Sequence, residues 1–110
     1  MIITEKNNFT NQYSELIDLI TFYVNMQKAL VDKILITVVN NKYIVMDKEK
    51  NKLFEMIEYD DSLLDLVVTL APKKIEMYNI LKFKNRELIK TIIQIFKERV
   101  DMYCESLDFE

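Results

Sequence analysis

This chain has no glycine in 110 residues, where ordinary usage would place about seven or eight. That absence constrains the fold more than any motif present. A residue with a Cβ loses about 1–2 kcal/mol in the left-handed region, so tight turns and bulges normally draw on glycine. Glycine-rich phosphate loops, dinucleotide fingerprints and nucleophile elbows are excluded outright. A fold with many turns is disfavoured, and a helical bundle has the fewest positions that need glycine. The expectation is therefore helical.

Composition narrows the chemistry in the same direction. The chain has no His and one Cys, so it supplies neither a His/Cys zinc site nor a Ser-His-Asp or Cys-His arrangement. Any acid-base work would fall to carboxylates, Lys or Tyr, and no spacing of these converges on a pocket. Glu55/Glu58 and Asp60/Asp61 read as surface charge at a helix end. The reading is a non-enzyme with no catalytic residues, no metal and no cofactor. With one Cys there is no intrachain disulfide, and Cys104 reads as a small residue at the core edge. The longest uncharged run, Leu19 to Gln27, has nine residues, against about 20 for a membrane span. The start, MIITEKNN, lacks the basic-then-apolar pattern of a secretory signal. A cytoplasmic protein with no membrane span is expected.

Along the chain, a helical period runs through residues 9 to 39. Phe9, Tyr13, Leu16, Ile20, Tyr23, Leu30 and Ile34 recur at spacings of three and four, with Ile17, Val24, Val31 and Val38 in a parallel stripe. Tyr43, Met46, Leu53, Phe54 and Ile57 continue at helical spacing after Asn40-Asn41, a pair able to end a helix because Asn tolerates positive φ. The same pair suits a type I′ turn, and β-branched residues favour strands, so a hairpin over 34–47 stands as the alternative. Ser62 and Asp65 form a capping box opening a short helix, Leu63 to Leu70. Ala71-Pro72 closes it and starts the next helix.

Residues 73–107 give the strongest helical pattern. At 3.6 residues per turn the apolar side chains cover roughly 200° of the circumference, with Tyr78, Leu81, Ile92, Phe96 and Tyr103 at the centre. A helix so broadly apolar either packs on two neighbours or leaves a flank for a partner. The flank assigned to a partner comprises Met77, Leu88, Ile92, Ile95 and Met102. The fold class expected is all-α, a small bundle of three to four helices with a long C-terminal helix. The alternative is α+β with a hairpin at 34–47. One domain spans 1–110, with 1–8 and 108–110 as frayed ends.

Charge is segregated. Residues 1–72 carry 7 basic and 11 acidic groups, residues 73–100 carry 8 and 3, and residues 101–110 carry 4 acidic groups alone. Arg86, Lys90 and Lys97 could touch nucleic acid, but the net charge of −3 opposes the phosphate contacts that dominate such affinity. The basic face reads as solvated.

Two stretches, KEKNKLFEMI (48–57) and NRELIKTIIQIF (85–96), resemble the second and C-terminal helices of flagellar type III export chaperones of the FlgN and FliT kind. By that resemblance Asn85, Leu88 and Ile89 would hold corresponding positions, and the protein would bind an amphipathic helix of an export client. The functional expectation is a cytoplasmic chaperone or adaptor holding a partner helix, or a second copy, in a groove. The alternatives are an inhibitor or antitoxin-like protein that blocks a partner, and a weak nucleic-acid-binding regulator.

Overall fold

The structure, a computed structural model, describes residues 2–49 and 51–107. It is α+β, with a five-stranded mixed sheet and three α-helices. In chain order the elements are α1 (Ile2–Met26), β1 (Lys33–Val39), β2 (Lys42–Asp47), β3 (Lys52–Ile57), α2 (Asp60–Leu70), β4 (Lys74–Met77), α3 (Arg86–Phe96) and β5 (Val100–Met102). The sheet order is β3-β2-β1-β4-β5. β1 pairs antiparallel with β2 and β2 antiparallel with β3, while β1/β4 and β4/β5 are parallel.

This overturns the all-α bundle. The chain takes the hairpin over 34–47, in register Ile34↔Asp47 through Val39↔Lys42. Asn40 and Asn41, at φ 52° and 63°, make the two-residue turn. Positive φ at both central positions is what a I′ turn requires, and it matches the twist of the strands. Where a helix was expected over 48–57, residues 48–49 form a turn and 52–57 form β3. Asp47 Oδ1 accepts from the Glu49 and Asn51 amides there, both at 3.0 Å. The long helix over 73–107 is in fact β4, a 3-10 turn at Ile80–Lys82, α3, a second 3-10 turn at Lys97–Arg99, and β5. Asn79 (φ 57°) and Lys97 (φ 52°) break it. α2 begins at Asp60 with Tyr59 as its N-cap, so Ser62 lies inside the first turn rather than capping it. Ala71 ends α2 in the left-handed region, its N–H bonding the Val67 carbonyl at 2.9 Å. Residues 2–8 form the first turns of α1; residues 1 and 108–110 lie outside the described residues.

Handedness sets the layering. β3, β1 and β4 run parallel, and the connections through α2 and α3 both step the same way across the sheet. Right-handed crossovers therefore place both helices on one face. Ile34, Ile36 and Val38 of β1, Val45 of β2, and Ile75 and Met77 of β4 point into that face. They meet Leu63 and Val67 of α2 and Leu88, Ile92, Ile95 and Phe96 of α3. Ile17 and Val24 bring α1 into the same core. The far face is covered differently. Leu35 and Met46 pack with Leu107, which returns after β5. The Asn79 amide donates to the Glu105 carbonyl (2.8 Å) and the Ile80 amide to Tyr103 (3.1 Å). Tyr78 and Tyr103 stack with ring centroids 4.8 Å apart.

Lys97 sits at φ 52°, ψ −121°, a region that a side chain makes costly. Lys97→Gly is expected to raise the unfolding free energy by about 1 kcal/mol, and Lys97→Val to lower it, both measured by urea denaturation.

Candidate functional site

Two surfaces stand out: the carboxyl end of the parallel strands and the outer side of α1.

Ligands of open α/β sheets favour the crevice outside the carboxyl ends of strands at a topological switch point. Here that point lies between β1, whose chain turns back to β2, and β4, whose chain crosses toward β5. A cleft of about 660 Å³ opens there, lined among others by Asn40, Asn41, Asn79, Leu81, Lys82 and Lys84. The Asn79 side chain donates to the Val38 carbonyl at 3.2 Å, tying the two strand ends together. Lys82 and Lys84 form no ion pair among the described residues.

Beside the cleft, Asp60 accepts from the Tyr43 hydroxyl with one oxygen and from the Asn85 amide at 2.6 Å with the other. Asn85 Oδ1 in turn caps α3, accepting from the Glu87 amide (3.0 Å) and the Leu88 amide (3.2 Å). This chain of bonds links β2 and the starts of α2 and α3. Burial, then the hydrogen bond to Asp60, raises the Tyr43 hydroxyl far above the usual tyrosine range. On the far face of the sheet, Tyr78 is pushed up to about 12, first by burial and then by its bond to Glu76. Each Asp60 oxygen thus accepts from a neutral partner, and the arrangement holds three elements in place. Among the described residues no group of three or more Cys, Asp or Glu gathers to hold a metal.

The second surface is larger and apolar. The inner side of α1 packs through Ile17 and Val24, while the Tyr13 hydroxyl meets Thr91 Oγ1 of α3 at 2.9 Å. The C-terminal end of α1 is clamped: Gln27 Nε2 donates to the Thr69 carbonyl, the Leu30 amide to the Leu70 carbonyl, and Arg99 to Asn25 Oδ1. The outer side has no such cover. Leu16, Leu19, Phe22, Tyr23 and Met26 are exposed, with Leu19 at 67%, Phe22 at 64% and Met26 at 73%. At 100° per residue these five fall within about 120° of arc, so they form one contiguous face.

The family model of the YtxC-like family matches residues 3–101. The chain belongs to the YtxC-like family. No curated protein and no solved structure matches it. Membership in the YtxC-like family replaces the flagellar-chaperone resemblance and, with it, the expectation of flagellar export. Of the stretches that carried the resemblance, the first holds β3 at Lys52–Ile57 in place of a helix, and Asn85 is the cap of α3. Leu88 and Ile89 are core residues.

Within this YtxC-like fold the expected partner flank is interior. Met77 and Ile92 are wholly buried, as are Leu88 and Ile95 within a few percent; Met102 alone is exposed. The physical reason is that α3 packs against α1, α2 and β5, which covers Leu88, Ile92 and Ile95, while Met77 lies inside the sheet on β4. The exposed face on α1 was not singled out. Its signal was present: apolar residues in Tyr13–Met26 spread around more than half the circumference, too wide for one neighbour. No helix among the described residues is long and apolar enough to cross a membrane.

Two measurements check the polar hub. Asn85→Ala removes two cap bonds and the tie to Asp60, and is expected to cost about 1–2 kcal/mol by thermal unfolding; Asn85→Asp keeps the cap but faces Asp60 with a second carboxylate, and should recover only part. A Tyr43 hydroxyl held protonated favours the folded state fully below pH 10.0, the model-peptide tyrosine value, and loses that contribution as pH climbs through the raised folded value. Tyr78 acts with the same sign between 10.0 and about 12. Stability is therefore expected to fall above pH 10, and Tyr43→Phe to flatten that fall while lowering stability at pH 7 by roughly 1–3 kcal/mol.

Proposed function

We propose that this YtxC-like chain is a non-catalytic, cytoplasmic binding protein that takes an apolar helix against the outer face of α1. One observation carries the reading: five large apolar side chains, Leu16 to Met26, lie exposed and contiguous on a helix whose opposite side is already packed. Exposed patches of several hundred Å² on small proteins mark partner sites. Leu16, Leu19, Tyr23 and Met26 follow spacings of three, four and three, the seam that receives another helix side by side. The polar cleft at the sheet end is lined by side-chain amides and two ammonium groups, groups suited to hydrogen bonding and to contact with an anion. The client of the interface is thereby a helix with its own apolar seam, the kind of occupant an adaptor or inhibitor holds.

The test is capture of partners from the source organism with the wild-type chain and with Leu19→Glu/Phe22→Glu. Both positions are solvent-facing, so the variant is expected to keep its circular dichroism and melting temperature while losing the captured partner at least tenfold. Undiminished capture by the folded variant would show that another surface binds.

A further inference from the structure

The cleft at the carboxyl end of the parallel strands holds positive charge that the fold itself does not neutralise. Lys82 and Lys84 line it, and neither pairs with a carboxylate among the described residues. From Met77 to Arg86 the chain carries three basic residues and no acid, on a protein of net charge −3. We infer that this cleft binds a small organic phosphate, its phosphate held by the two ammonium groups and its carbon body set against Leu81 and the asparagine side chains. The site is separate from the outer face of α1 and does not depend on it.

The two lysines are placed by the residue between them. Phe83 is 3% exposed and packs on Tyr43 with ring centroids 5.6 Å apart. The backbone around it is pinned: the Lys82 amide donates to the Asn79 carbonyl at 2.9 Å, and the Phe83 amide to the Ile80 carbonyl at 3.2 Å. Phe83 is extended, at φ −70° and ψ 119°, so with its own side chain in the core the residues on either side turn outward together. Both lysines accordingly line the large cleft, and both also line a smaller depression of about 210 Å³ beside it. Asn79 is fixed as firmly. Its side chain donates to the Val38 carbonyl at 3.2 Å and its backbone amide to the Glu105 carbonyl at 2.8 Å. Anchoring of this kind lowers the ordering cost that binding would otherwise carry.

The lining selects the ligand class. Two ammonium groups with no carboxylate beside them in the large cleft match a head group with two negative charges, and lysine suits phosphate as a point charge. The acids Glu58 and Asp60 line the smaller depression. Each Asp60 oxygen already accepts from Tyr43 or Asn85, and neither acid forms an ion pair with either lysine. The start of α3, capped by Asn85 at that same depression, adds the partial positive charge of a helix N-terminus. Volume argues for more than a bare ion. The cleft's 660 Å³ or so lies within the roughly 300–1,000 Å³ of small-molecule sites. Around the charge stand the side-chain amides of Asn40, Asn41 and Asn79, which both donate and accept, and Leu81 at 67% exposure. A sugar or a base attached to the phosphate meets both.

The test is a titration of the full chain at fixed ionic strength, followed by amide NMR, with adenosine monophosphate, inorganic phosphate, adenosine and succinate as probes. Adenosine monophosphate is expected to shift the backbone amides of Lys82, Phe83 and Lys84 and the side-chain amide of Asn79 saturably, and at least tenfold more tightly than inorganic phosphate. Adenosine and succinate should leave them in place. Both lysines are exposed, so Lys82→Ala/Lys84→Ala should keep its circular dichroism and melting temperature while losing the nucleotide at least tenfold. Lys73→Ala/Lys90→Ala removes the same charge elsewhere on the surface and should bind as the wild type does, as should Leu19→Glu/Phe22→Glu. Absence of any saturable shift with either phosphate at tens of millimolar overturns the inference. So does equal weakening in the two double-lysine variants, which shows a response to net charge alone, and so does undiminished binding by Lys82→Ala/Lys84→Ala. Succinate binding as well as the nucleotide overturns the assignment to phosphate, and inorganic phosphate binding as well overturns the organic body.

Discussion

The burial of β1 on both faces is the condition on which the rest of the structure depends. Ile34, Ile36 and Val38 face the helices, Leu35 and Thr37 face the other way, and all five are under one-tenth exposed. Burying each aliphatic side chain contributes about 1.5–3 kcal/mol, and both backbone edges are matched, by β2 on one side and β4 on the other. A strand so placed needs cover above and below. The helix layer supplies one side. On the other the chain returns after β5 to set Leu107 over Leu35 and Met46. The two-sided demand of one strand thus accounts for the three helices and for the returning C-terminal segment.

A chain without glycine still makes its turns, and the structure shows how. Five described residues take positive φ: Asn40, Asn41, Ala71, Asn79 and Lys97. Three are Asn, whose short polar side chain lowers the penalty. Missing glycine does not mean missing strands, because Asn, Ala and Lys stand in for it at these five positions. Asn40-Asn41 alone reverses the chain between two central strands. Each replacement has a cost, greatest at Lys97, and those costs are borne by a core that fixes both ends of each turn.

The helices were legible and the strands were not, for a reason visible in particular residues. Ile34 and Val38 lie four apart, a spacing that returns to the same side in a helix and also in a strand, since four is a multiple of two. With Leu35 and Ile36 buried as well, β1 has no alternation to betray it, and a short apolar run of this kind does not distinguish the two states. β4 and β5, with four and three residues, exist only through pairing with partners far away in sequence. Of the period read through 9–39, Ile17 and Val24 of the second stripe face the core, while Leu16, Tyr23 and Leu30 of the first are exposed; residues 63–70 and 86–96 are helical as read. An over-wide apolar arc on α3 leaves no open flank because further neighbours cover it, and the exposed apolar arc lies on α1 instead.

The order of strands also fixes the order of assembly. β1, β2 and β3 follow one another in 33–57 and can zip as a local meander within microseconds. β4 must come from the far side of α2 and β5 from the far side of α3, so the parallel half closes later, against loop-closure entropy. During synthesis from the N-terminus, the β1 edge that will meet β4 stands open until residues 74–77 emerge, with Ile34 and Ile36 beside it. Such an edge is a template for the wrong strand. The interval between making Val39 and making Met77 is the period in which this chain is most exposed to misassembly, and a stall in translation there leaves its most apolar strand half paired.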